Sequence, residues 1–205
     1  MTAAGPGVIG FDLDMTLIDS RQAILASFAA VAAETGVPID PAGVDSRLGI
    51  KLETELAHWF PADEIEPAIA IYRKHYPLLA GPLTRLLPGA PEALAAVRAT
   101  GRRAVVISAK FEPTVRVTLD ALGLAADAIF GGLHGPEKGE VLAELNAAAY
   151  VGDTPADMRA AVQASAFGVG TATGSFTAGE LAAAGAGVVL TALTEFPAWL
   201  AGFAG

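Results

Sequence analysis

Short, continuous apolar runs alternate along this chain with longer stretches of helical period. The first run, Val-Ile-Gly-Phe at residues 8–11, stops abruptly at Asp12, and similar runs recur at 103–107, 148–151, 167–169 and 187–190. Unbroken runs of this length are what strands buried on both faces require. Between them, residues 90–100, 112–122, 138–146 and 156–164 space their apolar side chains as amphipathic helices do. Strand and helix in alternation predict right-handed crossovers and an α/β fold, a doubly wound parallel sheet.

Residues 19–82 break this rhythm. Helical patterns occupy 21–35, 52–60 and 62–76, and no convincing strand separates them. Asp19-Ser20 provides a helix N-cap at one end, and Gly81-Pro82 interrupts the pattern at the other. The expected organisation is therefore a core domain of residues 1–18 and 83–205 with an inserted α-helical cap domain at 19–82.

Composition narrows the function classes. With 53% hydrophobic residues, rich in Ala, Leu and Val, the 205-residue chain can bury a substantial aliphatic core. A net charge of -9 argues against nucleic acid as a partner, since phosphate backbones are bound by clustered Lys and Arg. A small anionic ligand stays open, because one cation and one or two lysines can make a local positive site in an acidic protein. Cysteine is absent, which excludes disulfides and thiolate chemistry and fits a reducing cytoplasm. Segment 1–7 carries no Lys or Arg and lacks the layout of a secretory signal. No run of about eighteen apolar residues forms a credible membrane span; the hydrophobic tail 181–205 reads as a soluble strand and helix broken at Glu195-Phe196-Pro197.

The chemistry gathers where predicted strands end, at the edge where open parallel sheets bind ligands. Phe11-Asp12-Leu13-Asp14-Met15-Thr16-Leu17 delivers two carboxylates from an apolar strand. A lone Asp there would be an ordinary turn former; two, fed by a strand into a Thr-containing turn, point to a site. Val106-Ile107-Ser108 ends the second strand in a hydroxyl, and Lys138 stands at the start of a predicted helix. Val151-Gly152-Asp153-Thr154-Pro155-Ala156-Asp157 repeats the strand-then-acid pattern, with Thr154 a candidate N-cap and Asp157 in the first helical turn. Asp12, Asp14 and Asp153 crowd three carboxylates into one crevice, which is tolerable only around a hard cation. All-oxygen ligands favour Mg²⁺ over zinc or copper.

In this order, Asp-x-Asp-x-Thr-Leu, a strand-terminal Ser, a Lys and Gly-Asp-x-x-x-Asp resemble the haloacid dehalogenase superfamily, in its phosphoglycolate-phosphatase-like branch with a helical cap. The likeness covers nearly the whole chain. It implies a Rossmann-like core and a Mg²⁺-dependent phosphatase that hydrolyses a small phosphorylated metabolite, with phosphoglycolate as the single best guess. Asp12 would attack phosphorus to form an aspartyl-phosphate, and Asp14 would act as general acid and base. Asp12, the Asp14 carbonyl and Asp153 would hold Mg²⁺, with Asp157 bound through water or in support. Ser108, with Ala109 and Thr16 beside it, and Lys138 would hold the phosphoryl group. In the cap, Arg47-Leu48-Gly49-Ile50-Lys51 resembles a substrate-facing loop, in which Arg47, the Gly49 N–H and Lys51 could grip a carboxylate or second phosphate; exposed surface charge is the equal alternative. Lys74 reads as solvated and Arg73 as a weaker substrate candidate, while His58, His75 and His134 lack metal-ligand spacing. A monomer or homodimer is expected.

Three departures from the pattern matter. Met15 stands where glycine is common, Ala109-Lys110 follows Ser108 where Asn is frequent, and the stretch from Lys138 to Asp153 is short. Lys110 therefore remains an alternative to Lys138 as the phosphate-binding lysine. A phosphomutase of the same superfamily is the neighbouring possibility, disfavoured by Thr16 in place of the Val often seen in mutases. A dehalogenase is disfavoured by Asp14. A non-catalytic binding protein on the same scaffold is the alternative from another class.

Overall fold

The computed structural model describes residues 7–203. Residues 1–6, most of the segment read as lacking a secretory signal, and 204–205, the end of the expected core and of its hydrophobic tail, lie outside the described residues. β1 (Val8–Phe11) is hydrogen-bonded on both sides, to β4 (Arg103–Ile107) and to β6 (Ala147–Gly152). With β5 (Ala128–Phe130), β7 (Phe167–Thr171) and β8 (Val188–Leu190) they form a six-stranded parallel sheet in the order β5-β4-β1-β6-β7-β8. The chain builds outward from β1 in one direction and then returns to build in the other, so the strand order reverses beside β1. Such a switch point leaves a crevice at the carboxyl ends of the strands.

Strand residues divide between the faces with period two. Ile9 and Phe11, Ala104 and Val106, and Ala149 and Val151 join one apolar cluster with α5 (Ala90–Ala99), α6 (Glu112–Ala121) and α10 (Phe196–Ala201). Phe11 packs on Phe196 with ring centroids 5.3 Å apart. Val8, Val105, Ile107 and Tyr150 face the other way, against α7 (Pro136–Glu144) and α8 (Pro155–Gln163). Full burial of each large aliphatic or aromatic side chain contributes roughly 1.5–3 kcal/mol, which is why these strands read as continuous apolar runs. Gly10 lets Tyr150 lie against β1: a Cβ there would sit 2.8 Å from the ring.

The helical segment holds α1 (Arg21–Thr35), α2 (Pro41–Ser46), α3 (Leu52–Leu56) and α4 (Ile65–Leu83) around an apolar cluster of its own that includes Phe28, Leu56, Ile69, Tyr72 and Tyr76. Its geometry differs from the sequence expectation in three places. α2 was not anticipated; Asp40 caps it by accepting from the N–H groups of Ala42 and Gly43. α4 does not stop at Tyr76 but runs on through Pro77 and Pro82. Proline removes a helical donor and disfavours this path, yet the buried faces of Tyr72, Tyr76 and Ala80 against α1 outweigh that preference. Two short strands, β2 (Ile18–Asp19) and β3 (Arg85–Leu86), pair antiparallel where the chain leaves and re-enters the sheet layer. No helix among the described residues is long and apolar enough to cross a membrane.

Candidate active site

The parallel registers determine what meets what. Phe11 lies opposite Val106 on one side and Val151 on the other, so Asp12, Ser108 and Asp153 all emerge one or two residues later at the same edge. Asp12 is 4% exposed, Ser108 1%, Asp153 4% and Asp157 1%, so these acids sit in a buried crevice rather than an exposed loop. Lys138, in the first turn of α7, sends its ammonium to Asp12 Oδ1 and to Asp157 Oδ1, both at 2.7 Å. Carboxylate oxygens of Asp12, Asp153 and Asp157 all lie within 4.8 Å of one another.

One lysine against three buried carboxylates leaves the cluster short of positive charge. Burial above all, then repulsion from Asp157 and Asp14, pushes the Asp12 carboxyl up to about 7 even though Lys138 opposes the shift. Asp153 is likewise driven well above the carboxylate range, by burial first and by Asp12 and Asp157 next. Lys138 loses solvation too, but the facing anions more than restore its charge and raise it. Such a cluster could hold a hard cation, and an all-carboxylate donor set is of the kind that suits Mg²⁺.

Each acid is held by local chemistry. Asp157 forms a capping box with Thr154: its Oδ2 accepts from the Thr154 N–H and hydroxyl, and its own N–H donates to Thr154 Oγ1. Gly152 makes room for it, since a Cβ there would lie 2.5 Å from that of Asp157. Both Asp157 oxygens are thus engaged, one by Lys138 and one by Thr154. Asp153 Oδ1 accepts from Thr16 Oγ1 at 3.1 Å. Asp14 Oδ1 accepts from the Ser20 hydroxyl and from Lys110 Nζ, 2.7 Å away. Lys110 also donates to the Tyr76 hydroxyl at 2.8 Å, tying the α4 helix to the acid.

Above this crevice opens a cleft between the sheet edge and the helical segment. Asp12, Asp14, Ser108, Ala109 and Lys110 form its floor, and Arg47, Gly49 and Arg73 line it among apolar side chains.

The profile of haloacid dehalogenase-like hydrolases matches residues 9–161. The chain belongs to the haloacid dehalogenase-like hydrolase family. A phosphoglycolate phosphatase of Aquifex aeolicus is 33% identical over 173 residues, covering 77% of this chain and 80% of the relative. Tyrosine-protein kinase PtkA of Mycobacterium tuberculosis is 31% identical over 120 residues; the match takes in 58% of this chain but only 41% of that relative's length. Among solved structures, a haloacid dehalogenase-like hydrolase from Bacteroides fragilis superposes with a TM-score of 0.81 at 25% identity, covering 93% of this chain and 99% of that one.

Against the pattern of this family, several details differ from expectation. Met15 occupies the left-handed region at φ 61°, the conformation that glycine adopts freely, so the first-motif loop keeps its turn at a backbone cost of roughly 1–2 kcal/mol. Lys138, not Lys110, pairs with Asp12; Lys110 serves Asp14. Thr16, expected at the substrate, is fully buried and spends its hydroxyl on Asp153. Ser20, expected as a helix cap, makes no side-chain cap bond and donates to Asp14 instead. Lys51 does not line the cleft but pairs with Glu137 at 2.6 Å, and Arg47 is engaged by both oxygens of buried Glu55, at 2.8 and 2.7 Å. His75 contacts Glu34, and His134 Nδ1 lies 3.1 Å from the Gly49 carbonyl oxygen. Tyr76, Tyr150 and Glu55 went unnoticed in the sequence. Glu55 left no distinguishing signal, since Glu53, Thr54 and His58 stand in the same helical stretch.

Proposed function

We propose that this protein is a Mg²⁺-dependent phosphatase of the cytoplasm, hydrolysing a small phosphate monoester such as phosphoglycolate through an aspartyl-phosphate on Asp12. The observation that carries this reading is the buried Asp12-Asp153-Asp157 cluster with Lys138 bonded to both Asp12 and Asp157. The similarity to a named phosphoglycolate phosphatase supports the choice of substrate.

Asp12 Oδ attacks phosphorus as the bond to the leaving oxygen breaks, and Asp14 gives that oxygen a proton. Asp14 then takes a proton from water as the water attacks phosphorus, and Asp12 is released. Ser108 and the backbone N–H of Ala109 hold phosphoryl oxygens at the cleft floor. Lys138 neutralises Asp12 and steadies the transferring group. Asp12, Asp153 and the Asp14 carbonyl would hold Mg²⁺, with Asp157 fixing Lys138 beside them. Bound there, the ion would screen anion from anion and stabilise charge on the phosphoryl group.

The direct test is hydrolysis of p-nitrophenyl phosphate and phosphoglycolate with and without EDTA. Turnover should vanish in EDTA and return with added Mg²⁺; turnover that persists in EDTA removes the metal from the scheme.

A second expected result concerns stability. The Asp12 carboxyl titrates at about 7 in the folded chain against 3.8 ordinarily. Between those values the folded state holds a proton that the unfolded state has released, so this group's contribution to the stability of the metal-free protein falls as pH rises from about 4 to 7. Cation binding requires that proton to leave. Saturating Mg²⁺ at about 100 times its Kd should stabilise the protein by about 2.7 kcal/mol, or roughly 5–10 °C in Tm. That increment should be realised at pH 8 and shrink by at least half at pH 5.5. Calorimetry showing a larger Mg²⁺ effect in acid would contradict this assignment of the site.

A further inference from the structure

The cations at the cleft are not equivalent. Arg47 is held by Glu55, and Lys110 by Asp14 and Tyr76. Arg73 alone among the cleft's cations makes no hydrogen bond or ion pair with the described residues. Its Nε is shut off from solvent without a partner. Its guanidinium carbon lies over the Phe111 ring, 4.1 Å from the centroid, just after Ser108-Ala109-Lys110. The ring holds the cation in place but supplies no acceptor for its N–H groups. A shielded donor left without an acceptor is costly, and a guanidinium fork is most fully satisfied by a planar carboxylate.

We infer that Arg73 is the residue that selects the leaving group, by gripping a carboxylate on the alcohol part of the substrate while the phosphoryl group sits over Asp12. This rests on the phosphatase reading given above. The cleft suits an organic acid ester: Arg73 and Asp12 line the same space, and Ile24, Phe28, Leu48 and Tyr72 give it apolar wall beside the acids Glu53 and Glu55, of which Glu55 is spent on Arg47. Arg47, one of the two cap-loop cations that the sequence offered for this task, is already neutralised by a buried carboxylate. Arg73 lies on α4, the helix whose Tyr76 also bears on Lys110, so recognition of the distal carboxylate and the setting of Asp14 come from one element.

The test uses binding, so that it stands apart from turnover. 3-Phosphonopropionate, the carboxylate-bearing methylene analogue of phosphoglycolate, is compared with propylphosphonate by calorimetric titration in Mg²⁺, on wild type and on Arg73→Met. Methionine keeps an apolar stem against Phe111 and removes the charge. The wild type should bind the carboxylate ligand about 30-fold more tightly than the alkyl one, as a charge-assisted pair provides, and Arg73→Met should erase that preference. A wild type that binds both ligands equally, a preference that survives in Arg73→Met, or a loss shared equally by the two ligands each overturns the inference. Hydrolysis of p-nitrophenyl phosphate by wild type is scored separately: its absence counts against the phosphatase reading, while the binding preference still decides Arg73.

Discussion

Asp12→Asn is expected to lower phosphate-ester turnover by about 10⁴-fold or more, since an amide cannot form the acyl phosphate and the neighbouring acids are each tied to other partners. Asp157 has both oxygens engaged, Asp153 is engaged by Thr16, and Asp14 is held by Ser20 and Lys110. The substitution should leave the fold intact. It is nearly isosteric, and it takes one negative charge from a cluster in which three buried carboxylates face one lysine, so thermal stability without metal should hold or rise. The Mg²⁺-induced rise in Tm should shrink in the same variant. Single-turnover kinetics with p-nitrophenyl phosphate, read beside the melting curve, separates loss of the nucleophile from loss of structure. Turnover within tenfold of wild type would move the nucleophile to another residue.

Lys138→Met is expected to have the opposite balance, with a large loss of stability as well as activity. The lysine is 3% exposed and holds two carboxylates at 2.7 Å. Removing one side of a buried pair leaves uncompensated charge and costs about 3–5 kcal/mol. In a chain of this size that is roughly a 10 °C fall in Tm, and Mg²⁺ should recover part of it by screening the same carboxylates. Lys74→Met is the matched control: the Lys74 side chain is 64% exposed and pairs with Glu34 at the surface, where solvent screens the interaction, and the variant's melting curve should be unchanged. Equal behaviour of the two variants in chemical denaturation would mean that Lys138 is not buried among anions as described.

The strands that carry the site were legible because burial on both faces forces an unbroken apolar run. β1, β4, β6, β7 and β8 each announce themselves in this way. β5 did not: it is as short as the other edge strand, β8, but offers Ala-Ile-Phe where β8 offers the paired β-branched Val188 and Val189. The course of α4 through Pro77 was hidden for the converse reason: local propensity ends the helix, and only the packing of Tyr72, Tyr76 and Ala80 continues it.

For the candidate site, the order of residue types along the chain pointed to Asp12, Asp14, Ser108 and Asp153, since these polar groups follow apolar strands, whereas Lys138 stood out only with the whole pattern and left Lys110 open beside it. The assignment of partners was not legible in that order. That Lys138 rather than Lys110 meets Asp12, that Arg47 is quenched by Glu55, and that Arg73 is left without a partner are all consequences of contacts between distant segments. Local sequence determined which chemical groups this protein brings to the edge of its sheet, because strand burial and helix capping are short-range effects. Only the tertiary structure decided which charges cancel and which remain free to act, because ion pairing at 2.7 Å depends on side chains that the chain places together only by folding.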